Sequence, residues 1–143
     1  MPSREPDHLL RISCFEVLIG NKELGFAEVG RLTSETEPGV PTERPVHRFA
    51  TVVLRRALTT STELYDWRRR ITAGKNDRRA VTIHQLAAAG GEIVNSWRLE
   101  GAWPCRWSGP GFDAMSNDIA YEEIELSFDD LVWIEHNPSM TRG

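Results

Sequence analysis

The chain has 143 residues, which is enough for one folded domain and too few for two ordinary ones. Its hydrophobic fraction of 40%, charged fraction of 27% and net charge of −4 disfavour a dedicated nucleic-acid-binding protein, which normally carries a basic surplus. No apolar run approaches the ~20 residues that span a bilayer, and residues 1–7 lack the apolar segment of a signal peptide. We therefore expect one domain over residues 1–143, with an ordered core at 10–135 and flexible termini.

Alternating apolar and polar residues predict extended structure at the start of the chain. Strands are expected over 11–19, 24–29 and 32–37. Residues 20–22 have the composition of a turn, and Gly25 suggests a bulge or a close approach of two backbones.

A loop is predicted over residues 38–47, where three prolines and one glycine occur. Proline lacks a backbone donor, so this composition sustains neither a helix nor a strand ladder. A loop of this length in a small domain is often functional. Extended structure is predicted to resume over residues 48–58.

An amphipathic helix of about three turns is the clearest local signal. Thr60 and Glu63 fit a capping box at its start, and Gly74 is placed to end it. Asp66 and Arg70, four residues apart, are predicted to pair on the solvent side. The apolar stripe consists of Leu64, Trp67 and Ile71. We interpret Trp67 as a core anchor between helix and sheet.

The pattern of the second half of the chain predicts β-structure. Strands are predicted over 80–86, 92–99, 102–107 and 119–128, with a hairpin turn at 88–91. With the strands of the first half, this makes seven or eight strands and one helix. The expected fold class is mainly β: an antiparallel β-sandwich or barrel with one packed α-helix.

Motifs of enzymes are missing from the sequence. There is no Gly-x-Ser-x-Gly elbow, phosphate-binding Gly-rich loop or His-Glu-x-x-His motif. The four histidines are scattered, and His84 in an alternating strand is interpreted as structural or surface-exposed. Cys14 and Cys105 lack metal-ligand spacing; the alternatives are a single disulfide and two small buried free thiols, of which the free thiols are favoured. No catalytic residue, cofactor or metal site is predicted, and we do not expect an enzyme.

Charged residues cluster in the middle and near the end of the chain. Glu122 points to the opposite face of its strand from Glu123 and Glu125, which share a solvated or interfacial face. The basic groups at 55–56, 68–70 and 78–79 are interpreted as solvated or as partners in ion pairs between subunits.

An ordered set of motifs resembles the tail tube proteins of contractile phages and related injection systems. The most characteristic part comprises Ala102, Trp103, Pro104, Trp107, Gly109 and Pro110. Four motifs precede it along the chain: Phe15-x-Val17, Gly25-Phe26-Ala27-Glu28-Val29, Leu54-Arg55-Arg56, and the group Thr59, Glu63, Leu64 and Trp67. One further group follows it: Asn117, Ala120, Glu122, Ile124, Glu125 and Leu126. Two departures are Val29-Gly30-Arg31-Leu32, in place of Val-Ser-Gly-Leu, and a shorter loop at 37–48.

The resemblance implies a structural subunit that forms hexameric rings, which stack into the inner tube of a phage tail or injection particle and surround a lumen for DNA or effectors. Its implied partners are copies of itself, a paralogous tube subunit, and sheath, baseplate and cap proteins. Assembly would take place in the bacterial cytoplasm, without membrane insertion. Expected interface residues are Glu37, Arg44, His47, Arg48, Arg55, Arg56, Glu123 and Glu125. Residues of the structural motif are Trp67, Ala102, Trp103, Pro104, Trp107, Gly109, Pro110 and Asn117.

Several roles remain open at this point. The chain can be the main tube subunit, a second paralogue or a tube-initiating ring near the baseplate. A small-molecule-binding β-barrel or an enzyme is the competing class, and either predicts a monomer with a lined pocket instead of rings.

Overall fold

Eight antiparallel β-strands and one α-helix make up the computed structural model, which describes residues 10–35 and 50–135. The strands are β1 Phe15–Ile19, β2 Lys22–Leu24, β3 Glu28–Val29, β4 Ala50–Ala57, β5 Arg79–Leu86, β6 Ile93–Ser108, β7 Tyr121–Phe128 and β8 Asp130–Ile134. The helix, α1, covers Glu63–Thr72. The predicted mainly antiparallel β-fold with one helix is confirmed.

The strands form two connected sheets that share β6. Sheet A has the order β2-β1-β5-β6-β8, and sheet B has the order β6-β7-β4-β3. β7 and β8 follow one another along the same side of β6, separated by Asp129. β6 and the β7–β8 segment therefore form one long hairpin that runs through both sheets.

A glycine bends this hairpin where it passes from one sheet to the other. Gly101 has a φ of 64°, and a Cβ there would collide with the carboxylate of Asp129. The Asp129 N–H donates to the carbonyl of Glu100 at 2.8 Å, which keeps the two strands joined at the bend. The predicted separation into strands at 92–99 and 102–107 was wrong, because glycine adopts the left-handed conformation without a steric penalty.

The core lies between the two sheets and under the helix. Alternate residues of each strand point inward, as the pleat requires. The fully buried members include Val17, Leu54, Leu64, Trp67, Val81, Leu99, Ala102, Ile124 and Leu126. α1 packs on β6 and contributes Leu64 and Trp67 to this core.

The helix departs from the prediction at its start and agrees with it at its end. The N-cap is Thr62, which makes no side-chain cap hydrogen bond, so the capping box at Thr60 was wrong. The predicted pair of Asp66 and Arg70 is also absent: Thr62 Oγ1 donates to Asp66 Oδ2 at 2.9 Å, and Arg70 binds elsewhere. Gly74, with φ 85°, ends the helix as predicted, because it accommodates the left-handed turn after the C-cap.

The strands of the first half are shorter than predicted. The segment 24–29 is divided, since β2 ends at Leu24 and Gly25–Ala27 carry the chain to β3 in sheet B. Residues 32–35 are not in a strand, which contradicts the predicted strand at 32–37 as far as the structure describes it. The predicted loop at 38–47 and residues 48–49 lie outside the described residues.

Turn chemistry predicted the hairpin between β5 and β6 correctly. The Ala87 N–H donates to the Glu92 carbonyl at 2.9 Å, which closes the predicted turn at 88–91. β8 was not predicted, because two aspartates at 129–130 interrupt the alternating pattern that precedes it.

Candidate subunit interface

A network of ion pairs covers the outer face of sheet B. Strand register brings Glu28 opposite Arg55, Arg55 opposite Glu123, and Arg106 opposite Glu125. Arg55 lies 3.4 Å from Glu28 and 3.8 Å from Glu123, and Arg106 lies 3.8 Å from Glu123 and 3.0 Å from Glu125. The five side chains thus link all four strands, and we call them the charged face.

The charged face is electrostatically almost balanced. Hydrogen bonds from Arg106 and then Thr51 lower the pKa of Glu125, and the bond to Glu125 raises the pKa of Arg106. The guanidinium of Arg55 also lies 3.9 Å from the ring centre of Tyr121. Exposed ion pairs contribute little stability individually. The main effect of the network is therefore that sheet B presents a surface of paired, almost balanced charges.

Sequence reasoning missed Arg106. The ladder between β6 and β7 shifts between Pro104 and Arg106, so that Cys105 occupies a bulge. A bulge changes the alternation of faces by one residue, which a count along the sequence does not reveal. Burial raises the pKa of the Cys105 thiol, consistent with a structural free cysteine.

A second ion pair lies on the inner side of the same sheet. Arg56 Nε donates to Glu122 Oε2 at 2.7 Å, and Trp107 Nε1 donates to Glu122 Oε1 at 2.9 Å. Arg56 is only 7% exposed and Glu122 only 2%. The expectation that Arg56 is an interface residue conflicts with this burial, because adjacent strand residues point to opposite faces and Arg55 takes the outer one.

The Ala-Trp-Pro motif joins β6 to the helix. Ala102 and Pro104 are buried, and Arg68 Nη1 donates to the Pro104 carbonyl at 3.1 Å. The guanidinium of Arg78 lies 5.8 Å from the ring centre of Trp103. Pro104 stands opposite Leu126 in the ladder, directly before the bulge at Cys105, and bulges are among the few places in a sheet where proline occurs.

The aromatic part of the motif packs against the helix and lies beside a glycine. Trp107 packs edge-to-face on Tyr65 of α1, with ring centres 5.1 Å apart. A Cβ on Gly109 would lie 3.0 Å from the Trp107 ring, so a larger residue would require the indole to shift by a few tenths of an ångström. Pro110 follows in the connection between β6 and β7, where Asn117 is exposed.

The carboxylate of Asp77, which the sequence analysis did not identify, binds two arginine side chains in and after α1. Asp77 accepts hydrogen bonds from Arg70 Nε at 2.7 Å and from Arg79 Nη2 at 2.9 Å. The bond from Arg79, followed by that from Arg70, lowers the pKa of Asp77 to about 2. The Asp77 carbonyl accepts from Trp67 Nε1 at 2.7 Å, and Trp67 is completely buried. The interpretation of Trp67 as a core side chain agrees with this geometry.

The remaining predicted residues fall into two groups. Glu37, Arg44, His47 and Arg48 lie outside the described residues, so their assignment to an interface stays a prediction. His84, which was expected to be structural or exposed, is half-buried and lies 2.6 Å from the Ser96 hydroxyl.

Features of other protein classes can be tested within residues 10–35 and 50–135. No group of three or more histidine, cysteine or carboxylate side chains in these ranges could hold a metal ion. The single helix there is too short and too polar to cross a membrane. A cleft of about 630 Å³ lies beside the β6–β7 connection, between Pro110, Asp113 and the Arg55–Glu123 pair.

Comparisons with known proteins agree with this architecture. The sequence profile of the family described as T4-like virus tail tube protein gp19 matches residues 13–132. A comparison with curated proteins gave no match. A chain from the PVC sheath–tube complex of an extracellular contractile injection system in the extended state is 25% identical, with a TM-score of 0.75, over 91% of this chain and 94% of that chain.

Two further solved structures share the fold. A chain from the PVC sheath/tube terminator is 28% identical, with a TM-score of 0.78, over 88% of this chain and 96% of that chain. Hcp1 from Flavobacterium johnsoniae is 17% identical, with a TM-score of 0.61, over 86% of this chain and 96% of that chain. Because the family profile covers most of the sequence, the chain belongs to the family of T4-like virus tail tube proteins.

Proposed function

We propose that this protein is the structural subunit of the inner tube of a contractile phage tail or phage-tail-like injection system. Homo-hexameric rings of the subunit stack into a tube around a lumen that passes DNA or effectors. The match to the tail tube family over residues 13–132 carries this proposal. The similarity to chains of a sheath–tube complex and of a tube terminator supports it.

Unpaired strand edges give a physical reason for ring formation. Within the described residues, β8 pairs only with β6, and β3 pairs only with β4. Each edge leaves backbone donors and acceptors on one side, and such edges invite pairing with another chain. Closure of six subunits into a ring would cover edges of this kind by a single repeated contact.

The partners follow from the same role. A sheath, a baseplate, a cap and a paralogous tube subunit are the proteins that a tube subunit would contact. We place assembly in the bacterial cytoplasm and the product in a virion tail or injection particle. A tube-initiating ring near the baseplate of the same particle remains the alternative position. A structural role requires no catalytic group, and we assign none.

A small-molecule-binding β-barrel is the less favoured function. The space between the described parts of the two sheets is filled by apolar side chains such as Leu54, Leu99 and Leu126. The cleft of about 630 Å³ lies outside that core, beside the β6–β7 connection and the charged face.

Electron microscopy of the purified protein tests the proposed function. Negative staining should show rings with sixfold symmetry, and stacks of rings should appear as the protein concentration rises. Sedimentation velocity should show the same assembly in solution. A protein that stays monomeric at every concentration in both measurements would contradict the proposal.

The expected interface residues are tested separately by charge reversal. We infer that the loop containing Glu37, Arg44, His47 and Arg48 joins stacked rings, and that Glu123 and Glu125 act between neighbouring subunits. Changing both Glu123 and Glu125 to Lys should leave the monomer folded, as circular dichroism would report, because exposed charges contribute little to one domain. Sedimentation velocity should show weakened ring formation. Unchanged assembly at low salt would remove these carboxylates from the interface.

A further inference from the structure

We propose that sheets A and B pivot about a hinge at the bend of the β6–β7–β8 hairpin, and that the Arg78 side chain is the clamp that holds the angle between them. The hinge consists of Ala80 on β5, Gly101 on β6 and Asp129 between β7 and β8. This inference goes beyond the proposed tube function. It is tested on the monomeric subunit, so its failure would leave that function untouched.

A bulge between β5 and β6 forms one side of the hinge. The register of these two strands shifts between Arg79 and Val81. As a result, the single residue Ala80 lies opposite two residues of β6, Glu100 and Gly101. Gly101 has the left-handed φ of 64° that a bulged glycine adopts. A bulge disrupts the ladder locally and bends the strand that carries it.

The other side of β6 lacks regular pairing at the same level. The ladder with β8 ends at the pair of Glu100 with Asp130, and the ladder with β7 begins at the pair of Trp103 with Ser127. The two positions in between belong to neither ladder. One backbone hydrogen bond, from the Asp129 N–H to the Glu100 carbonyl at 2.8 Å, spans this gap. Because β6 is irregularly paired with both neighbours at one point, a change of angle there disturbs few backbone hydrogen bonds.

The Arg78 side chain bridges this gap. Its Nη1 donates to the Gly101 carbonyl at 3.4 Å and to the two Asp129 carboxylate oxygens at 3.2 and 3.3 Å. The same guanidinium lies 5.8 Å from the centre of the Trp103 ring. One side chain thus contacts the bend of β6, the link between β7 and β8, and the part of β6 that belongs to sheet B.

The backbone that carries the clamp is fixed to the helix. Asp77, before Arg78, accepts a hydrogen bond at its carbonyl from Trp67 Nε1 at 2.7 Å. Arg79, after it, places its guanidinium 4.5 Å from the centre of the Trp67 ring. Both neighbours of Arg78 are therefore held against a completely buried side chain of α1. The contact between Arg78 and Asp129 ties the bend to this fixed point.

The side chains of β6 at the bend offer little resistance to a change of angle. Gly101 has none, and the buried Ala102 beside it has only a methyl group, which makes few packing contacts. The Arg78 and Asp129 side chains are 46% and 67% exposed. An exposed pair adds little to global stability and is weakened by salt. We therefore expect the clamp to affect the angle between the sheets more than the unfolding free energy.

Hydrogen exchange of the monomeric subunit, resolved by NMR, tests the clamp. Arg78→Ala should make the Asp129 amide exchange about fivefold faster, the upper end of the effect of losing an exposed ion pair. Amides in the middle of β5 and β7 should keep their rates. Arg106→Ala is the matched control, because Arg106 is also 46% exposed and its ion pairs lie within sheet B. It should leave the exchange of the Asp129 amide unchanged.

Spin labels measure the angle between the sheets. In a Cys14→Ser/Cys105→Ser background, labels at Glu23→Cys on β2 and Ala57→Cys on β4 report the distance between exposed positions of sheets A and B. Double electron–electron resonance should show a broader distance distribution in Arg78→Ala than in Arg106→Ala or the parent. Sodium chloride at about 1 M should broaden the distribution of the parent, because it screens the pair, and should add nothing in Arg78→Ala.

The outcomes distinguish a clamp from a general effect on stability. Faster exchange at Asp129 together with a broader distance distribution, both without effect of Arg106→Ala, supports the inference. Faster exchange without broader distances would show local fraying and overturn the hinge. Exchange that accelerates throughout both sheets, in proportion to a lower unfolding free energy, would show a purely structural role for Arg78 and overturn the clamp. Equal effects of Arg78→Ala and Arg106→Ala, or no effect of either, would overturn it as well.

Discussion

Removal of Glu122 should destabilise the subunit more than removal of one partner of an exposed ion pair. Its carboxylate is 2% exposed and binds both Arg56 Nε, at 2.7 Å, and Trp107 Nε1, at 2.9 Å. In Glu122→Ala, the Arg56 guanidinium stays buried without its counter-ion, and Arg56 Nη2 already lacks a protein partner. Breaking a buried pair in this way costs about 3–5 kcal/mol of unfolding free energy.

The double variant Arg56→Met/Glu122→Leu separates the loss of one partner from the net value of the pair. Replacement of a buried ion pair by apolar residues of similar volume is often neutral or stabilising. The Trp107 N–H still loses its acceptor, which costs about 1–3 kcal/mol where water cannot replace it. We therefore expect the double variant to be more stable than Glu122→Ala and within about 2 kcal/mol of the wild type.

Urea unfolding followed by tryptophan fluorescence measures these differences, at concentrations where sedimentation shows a monomer. Arg98→Ala is a matched control, because Arg98 Nε lies 2.6 Å from Glu100 Oε2 in a pair that is about 40% exposed on each side. It should cost less than about 1 kcal/mol, since water screens an exposed pair. A cost below about 1 kcal/mol for Glu122→Ala, or a double variant as unstable as the single one, would refute the reasoning.

Three further changes probe the core, the segment after the helix and the bend. Trp67→Ala should lower the unfolding free energy by about 3–5 kcal/mol in the same urea assay, because it removes a fully buried ring. An unchanged urea midpoint would contradict that packing. Asp77 has a folded pKa of about 2 against an ordinary value of 3.8, so its contribution of about 2 kcal/mol should be present above pH 4 and disappear as the pH falls towards 2. The difference in stability between wild type and Asp77→Asn should therefore be large at pH 6 and small at pH 2; an equal difference at both would count against the pairing with Arg79. Gly101→Ala should lower the unfolding free energy by about 1–3 kcal/mol, because φ is 64° and the added Cβ meets Asp129. An unfolding free energy equal to that of the wild type would show that the bend tolerates a side chain.

Local patterns were sufficient to predict most elements of this fold. Alternation identified β1, β4, β5 and β7, since each strand has one face in the core and one outside. The stripe of Leu64, Trp67 and Ile71 identified the helix, and the same periodicity indicated which face is buried. These features depend on neighbours in the sequence, so they can be read from it.

The start of the helix was harder to predict because several hydroxyl side chains compete for it. Ser61 Oγ interacts with Glu63, and Thr62 Oγ1 binds Asp66, so the capping groups at residues 59–62 can serve more than one helix start. A side-chain cap is worth only about 1 kcal/mol, which tertiary contacts easily outweigh. Lys22 at the β1–β2 hairpin lies 3.3 Å from the Glu63 carboxylate and is one such contact.

The ordered motifs of the sequence also indicated the tail tube family, and the comparisons confirmed it. Motifs identify a family by residue type and spacing, which are properties of the sequence. They did not indicate which charges are exposed. Arg55 and Arg56 are adjacent and chemically identical, yet one joins the charged face and the other lies in the core with Glu122.

The bend at Gly101 and the bulge at Cys105 depended on contacts between residues far apart in the chain. Gly101 turns against Asp129, and Cys105 is displaced by the register of β6 against β7. Both features change the direction or the face of every residue that follows them, including Arg106 and Trp107. Sequence periodicity describes a strand alone, whereas its bends and bulges are set by the partner strand, so the charged face and the bent hairpin emerged only from the folded chain.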